Sequence, residues 1–113
     1  MVTKEAKVTT EKFIENLQDL VKDDIEGLVE AKRSYGNSWK KRGGVGAFMM
    51  LARKWDRIEN QVKETNYDIL SACRSNMSDD GILDDIRDLR RYLLLVEEEV
   101  SFIVIEEARR GKK

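Results

Sequence analysis

The chain contains no proline and no histidine, a single cysteine, and no long apolar run. Without proline, nothing in the sequence forces a helix to break or kink, so long uninterrupted helices are open to it. Without histidine, the commonest catalytic base and a common zinc ligand are both missing, so any bound metal is expected to be held by oxygen. Cys73 alone cannot form an internal disulfide. No stretch approaches the roughly 20 apolar residues that cross a bilayer, and the opening MVTKEAKVTT carries no apolar core of a signal peptide. The expected location is cytoplasmic, with no membrane partner. Charge of one sign is also lacking, since 21 basic residues meet 22 acidic ones for a net charge of -1. There is no global basic field of the kind that draws proteins to nucleic acid.

What remains is 113 residues, 41% hydrophobic and 38% charged. That is one domain by size, with chain for a modest core and little margin without a partner. The pattern is all-α. Phe13, Ile14, Leu17, Leu20, Val21, Ile25, Leu28 and Val29 recur at three- and four-residue steps, which predicts a first helix over residues 10–33. A second is predicted over residues 47–63, with Phe48, Leu51, Ala52, Trp55, Ile58 and Val62 on one side. Residues 65–76 read as a short helix or a packed connection. Ser78 followed by Asp79 and Asp80 reads as the start of a third main helix. Along that helix Ile82, Ile86, Leu89, Leu93, Val96, Val100 and Ile103 form a heptad seam. Leu94, Leu95, Phe102 and Ile105 fall off the seam, so its second face is expected to be buried as well, by other helices or by another copy of the chain. The expectation is a single helical domain over residues 1–113, an antiparallel bundle of three main helices completed by oligomerisation, with frayed ends near 1–9 and 108–113.

Two acidic steps stand out, Asp56-Arg57-Ile58-Glu59 and Asp85-Ile86-Arg87-Asp88. Residues three apart on a helix share a side one turn away, so two such helices could present four carboxylates to one hard cation. At about 100° per residue Glu59 falls within the apolar stripe of the second helix, where a charged group needs a partner, a proton or a metal. Asp56 lies on the shoulder of that face. Asp84 and Asp88 share a sector with Leu95 and Phe102, which begins acidic and becomes apolar, as a closing cleft would. The same acids also alternate with Arg87, Arg90 and Arg91 in ordinary salt-bridge positions. On the first helix, Asp24, Glu26 and Glu30 either complete such a site or are solvated, with solvation expected for Glu26 and Glu30.

The segment between the first two helices, residues 34–46, combines four glycines with Tyr35, Asn37, Ser38, Trp39, Lys40, Lys41 and Arg42. Aromatic planes suit a base, and lysine and arginine suit phosphates. The alternative is a packed connection in which Tyr35 and Trp39 plug the end of the bundle. Lys54 and Arg57 lie near the first acidic step and are in reach of the same phosphates, or simply flank the core stripe.

This layout resembles the all-α nucleoside triphosphate pyrophosphohydrolases of the MazG type, whose motif is Glu-x-x-Glu on one helix and Glu-x-x-Asp on the next. Here it reads Asp56-x-x-Glu59, then 25 residues, then Asp85-x-x-Asp88. Tyr35-Gly36-Asn37-Ser38-Trp39 and Asp84-x-x-x-Asp88-Leu89-x-x-Tyr92 are similar to a phage-associated branch linked to nucleotide modification. The resemblance covers roughly residues 35–95. It departs from the motif at Asp56 and Asp85, each shorter than glutamate by one methylene. It implies Mg²⁺- or Mn²⁺-dependent cleavage of a nucleoside triphosphate to monophosphate and pyrophosphate by a homodimer or homotetramer. Glu59 and Asp88 are then the first choices for catalytic ligands, with Asp56, Asp84 and Asp85 also holding metal. Lys54 and Arg57 hold phosphates, Asn37 and Trp39 contact the base, and Lys40 adds positive charge. The competing expectation is a non-catalytic helical oligomer that binds a protein or nucleotide. Nucleic-acid binding through Lys40, Lys41, Arg42 and the tail from Arg109 to Lys113 is disfavoured, because the acidic remainder cancels its charge.

Overall fold

The computed structural model describes the backbone of residues 4–75 and 81–111, and side chains over residues 9–75 and 81–111. The Ser78 cap expected for the last helix lies outside the described residues. Every element among those described is helical: α1 (Lys4–Tyr35), a 3₁₀ turn (Ser38–Lys40), α2 (Gly43–Val62), a second 3₁₀ turn (Lys63–Thr65), α3 (Ile69–Ser75) and α4 (Ile82–Gly111). The all-α class follows directly from the apolar periodicity. Of the two readings of residues 65–76, the short helix is present as α3, and α1 and α2 each extend further into the glycine-bearing loop than periodicity alone marks. No helix of the described residues is long and apolar enough to cross a membrane.

The chain divides into two compact units, Met1–Gly36 and Asn37–Lys113. The first is α1 by itself. Its stripe of Ile14, Leu17, Val21 and Ile25 lines an apolar groove, while Asp24 is buried and Glu26 and Glu30 are exposed. Gly36 ends this helix in the left-handed region, at φ 62°, and donates its N–H to the Lys32 carbonyl at 2.8 Å. That is the αL stop for which glycine is favoured.

In the second unit α2 and α4 pack together, and four side-chain links give their relative direction. Gln61 and Arg57 reach Asp85, Lys54 reaches Asp88, and Lys40, just before α2, reaches Glu99. Falling numbers on one side meet rising numbers on the other, so the helices are antiparallel. The core sits where they begin and end: Ile58 and Val62 of α2, Ala72 of α3 and Ile82 of α4, with Cys73, Ile86 and Leu89 packed against them. Ile82 has no exposed surface. At 1.5 Å per residue α4 is about 45 Å long and α2 about 30 Å. Beyond Glu99, α4 therefore continues for some three turns in which Val100, Phe102, Ile103, Val104 and Ile105 are exposed.

The expected apolar face of α2 is only partly the core face. Ala47, Ile58 and Val62 are buried, whereas Phe48 and Trp55 are 64% and 56% exposed. Trp55 and Phe48 sit about 60–80° around the helix from Ile58. Helix α4 packs on the other shoulder of the stripe, which leaves that side open.

Asp68 caps α3, accepting the Ser71 backbone N–H at 3.0 Å, and the Thr65 hydroxyl donates to the Asp68 carbonyl at 2.8 Å. The bond from the Ser71 backbone, helped by the Ser71 side chain, holds the Asp68 carboxyl below its ordinary 3.8. A carboxyl whose folded pKa is depressed stabilises the fold above the unfolded value, and this contribution disappears as pH falls through the folded value. Asp68→Asn is therefore expected to be less stable than the parent near neutrality, with the difference shrinking as pH drops below about 4. Thermal melts of both proteins across that range check it.

Candidate functional site

Two charged surfaces lie on opposite sides of α2, and Arg57 touches both. The inner one faces α4. Asp85 is 1% exposed, and its two oxygens are taken by different donors: Arg57 Nε at 2.7 Å on Oδ1 and Gln61 Nε2 at 2.8 Å on Oδ2. Lys54 Nζ approaches the same carboxylate at 4.0 Å and pairs with Asp88 at 2.9 Å. One turn back, Arg87 binds Asp84, with Arg87 Nε buried and without a hydrogen-bond partner among the described residues. Burying a carboxylate is costly unless it is paired and hydrogen-bonded, and this one is both.

The outer surface is a cleft of about 950 Å³ on the far side of α2. Ser38 and Trp39 of the 3₁₀ turn and Arg42 form one end. Gly46, Met49, Met50, Ala52, Arg53, Asp56, Arg57, Glu59 and Asn60 continue along α2 to Lys63. The helical period explains the grouping, since Met49, Arg53, Asp56, Asn60 and Lys63 fall within about 80° of one another on the helix. Gly46 is required for its shape: a Cβ there would lie 2.7 Å from Arg42 Cβ. With no side chain at 46, Arg42 folds across the first turn of α2 and joins the wall. Trp39 is steadied by Lys40, whose ammonium lies 5.8 Å from the ring centroid while bound to Glu99 at 2.8 Å, an arrangement in the cation–π range.

The expected site residues thus separate. Trp39, Asp56, Arg57 and Glu59 line the cleft, with Glu59 half-buried and Asp56 exposed. Asp84, Asp85 and Asp88 do not line it and are held by Arg87, by Arg57 with Gln61, and by Lys54 respectively. Lys54 and Lys40 are likewise engaged with carboxylates. Asn37 contributes its carbonyl to the 3₁₀ turn, accepting the Lys40 N–H at 3.1 Å. Among the described residues, no group of three or more acidic or cysteine side chains is arranged to hold a metal ion. The two acidic steps therefore do not converge on one four-carboxylate centre within these residues.

Arg53, Asn60 and Lys63 line the cleft and were missed from sequence. Their signal in the sequence is the angular sector they share with Asp56, which the apolar stripe does not mark.

Four cations (Arg42, Arg53, Arg57, Lys63) thus surround two carboxylates, with one indole at the end. Such a set suits an anionic ligand that carries a planar ring. The volume falls in the range of small-molecule sites. No family model, curated protein or solved structure matches the chain.

Asp85→Ala removes the acceptor shared by Arg57 and Gln61. Cutting one partner from a fully buried pair costs roughly 3–5 kcal/mol. Because the Arg57 side chain is 52% exposed, it can rehydrate, and the expected loss is about 2 kcal/mol. Urea unfolding of parent and variant measures it.

Proposed function

We propose that the cleft on the outer side of α2 binds a nucleoside triphosphate and that the chain cleaves it to monophosphate and pyrophosphate, in the manner of the MazG-like enzymes its sequence resembles. The observation that carries this reading is the joining of Trp39 to four cations and the Asp56/Glu59 pair in one cleft. Trp39 offers a stacking plane for a base. Arg42, Arg53 and Lys63 supply charge for phosphates, and Arg57, braced by Asp85, presents a guanidinium of fixed direction.

The absence of a three-acid cluster among the described residues does not conflict with Mg²⁺. This ion commonly takes one or two carboxylates, retains several waters and completes its shell with substrate phosphate oxygens. Asp56 and Glu59, one turn apart, are the residues that would hold it, and the ion would neutralise phosphate charge and acidify a bound water. In the hydrolysis, water adds to the α-phosphorus and the bond to the β-phosphate oxygen breaks. The proton passes to a carboxylate oxygen of Asp56 or Glu59 that does not bind the ion. Asp84, Asp85 and Asp88, chosen from sequence as ligands, act in this account as counter-ions that set Arg57 and Lys54.

A second reading is binding without turnover, and the confinement of cleft acids to Asp56 and Glu59 favours it. One experiment distinguishes the two. A panel of canonical and modified nucleoside triphosphates is incubated with Mg²⁺ or Mn²⁺, and monophosphate and pyrophosphate are quantified alongside binding by calorimetry. The expected result is turnover of at least one member, reduced on the order of 100-fold or more in Glu59→Gln with binding retained. Binding without turnover selects the second reading. No turnover and no binding across the panel rejects both.

A further inference from the structure

Within the Asn37–Lys113 unit, the three turns of α4 beyond Glu99 expose an apolar surface that the core of that unit does not use. One stripe that runs onto this overhang has an order of its own. Leu95, Glu98, Phe102, Ile105 and Arg109 follow one another at steps of three, four, three and four, and fall within about 80° on the helix. The centre of the stripe lies about 60–120° around the helix from Asp88, Glu99 and Asp85, through which α4 is linked to α2 and the turn before it. Phe102 and Ile105 are 57% and 53% exposed, and the ends of the stripe are of opposite charge.

We infer that this stripe is a self-complementary seam on which a second copy of the chain docks antiparallel. The symmetry lies in the numbering. With a two-fold axis passing between Ile103 and Val104, Phe102 of one copy faces Ile105 of the other, and Glu98 faces Arg109. Across residues 98–109 of the stripe the apolar positions meet one another and the acid meets the base, and Leu95 lies beyond the paired span. This is the isologous pattern of a two-fold contact with the flanking charges that fix orientation in helix pairs. A parallel pair would instead set Glu98 against Glu98 and Arg109 against Arg109. Among the described residues, Arg109 makes a local pair with Glu106, at 3.7 Å and largely exposed. That contact is of the weak surface kind and does not compete with the seam.

The contact is short. Some four turns of a helix pair bury less than the roughly 800 Å² per partner of a standard stable interface, so the dimer exchanges with monomer and responds to concentration. The inference is independent of the nucleotide reading, since none of these residues lines the cleft.

Sedimentation equilibrium of the full chain between roughly 1 μM and 1 mM gives the test, with circular dichroism confirming that each variant keeps its helix content. The parent is expected to pass from monomer to dimer across this range. Glu98→Arg and Arg109→Glu, each placing like charges together twice per dimer, are expected to weaken association at least about tenfold. The doubly exchanged protein, with Arg at 98 and Glu at 109, is expected to return to within about threefold of the parent. Three results overturn the inference. The parent stays monomeric throughout, the single exchanges leave dimerisation unchanged because another surface drives it, or the double exchange fails to restore what the single ones lost.

Discussion

The buried carboxylate of Asp85 fixes how the second unit is put together. An ionised group with 1% of its surface exposed must be satisfied by the chain itself. Here the donors come from one turn of the facing helix, Arg57 and Gln61. Sliding α2 by one turn, or rotating it by a third of a revolution, would leave the carboxylate buried without those bonds. The apolar contacts of Ile58, Val62 and Ile82 drive the helices together, but such contacts are non-directional. The polar bond supplies the register. Lys54 with Asp88 and Lys40 with Glu99 extend the same alignment along α4.

Fixing α2 in rotation also decides which of its faces looks outward, and the cleft is a consequence of that choice. With Ile58 and Gln61 turned to α4, the sector of Asp56, Asn60 and Lys63 is turned away. Glu59 stands between it and the apolar edge. Gly46 then lets Arg42 close over the first turn, and the Lys40–Glu99 pair holds the 3₁₀ turn that carries Trp39. Arg57 is the physical link between the two surfaces, anchored on one and lining the other. The proposed chemistry thus rests on a polar contact made on the side of the helix away from the ligand.

Much of the fold was legible in sequence because it depends on period alone. The three- and four-residue steps of Leu17, Val21 and Ile25, of Ile58 and Val62, and of Ile82, Ile86 and Leu89 mark helices whatever they pack against. The limits were less clear where capping uses the backbone. Gly36 closes α1 through its own conformation, and no apolar spacing reports that. The site was read less well. Periodicity placed Glu59 beside Trp55 and Val62 on a broad apolar stripe, but it does not say which shoulder of that stripe meets α4. The structure puts Ile58 and Val62 in the core and leaves Trp55 exposed, so Glu59 borders a cleft and not a helix interface. Asp85 and Lys54 were read as ligand groups, since spacing shows that charges share a side without showing that the opposite charge lies across from them. Trp39, singled out from its aromatic and basic setting, lines the cleft. Arg53, Asn60 and Lys63 are ordinary surface residues until the cleft is seen around them.

The central claim is that the ligand-binding surface is the outer side of α2, while the acids of α4 act as buried or paired counter-ions. Amide chemical-shift mapping during titration with a nucleoside triphosphate and Mg²⁺ tests it most directly. The account expects the largest changes at Trp39, Arg42, Arg53, Asp56, Glu59 and Lys63, with smaller ones at Asp84 and Asp88. Changes concentrated at Asp84, Asp85 and Asp88, with Trp39 and Lys63 unmoved, would contradict it.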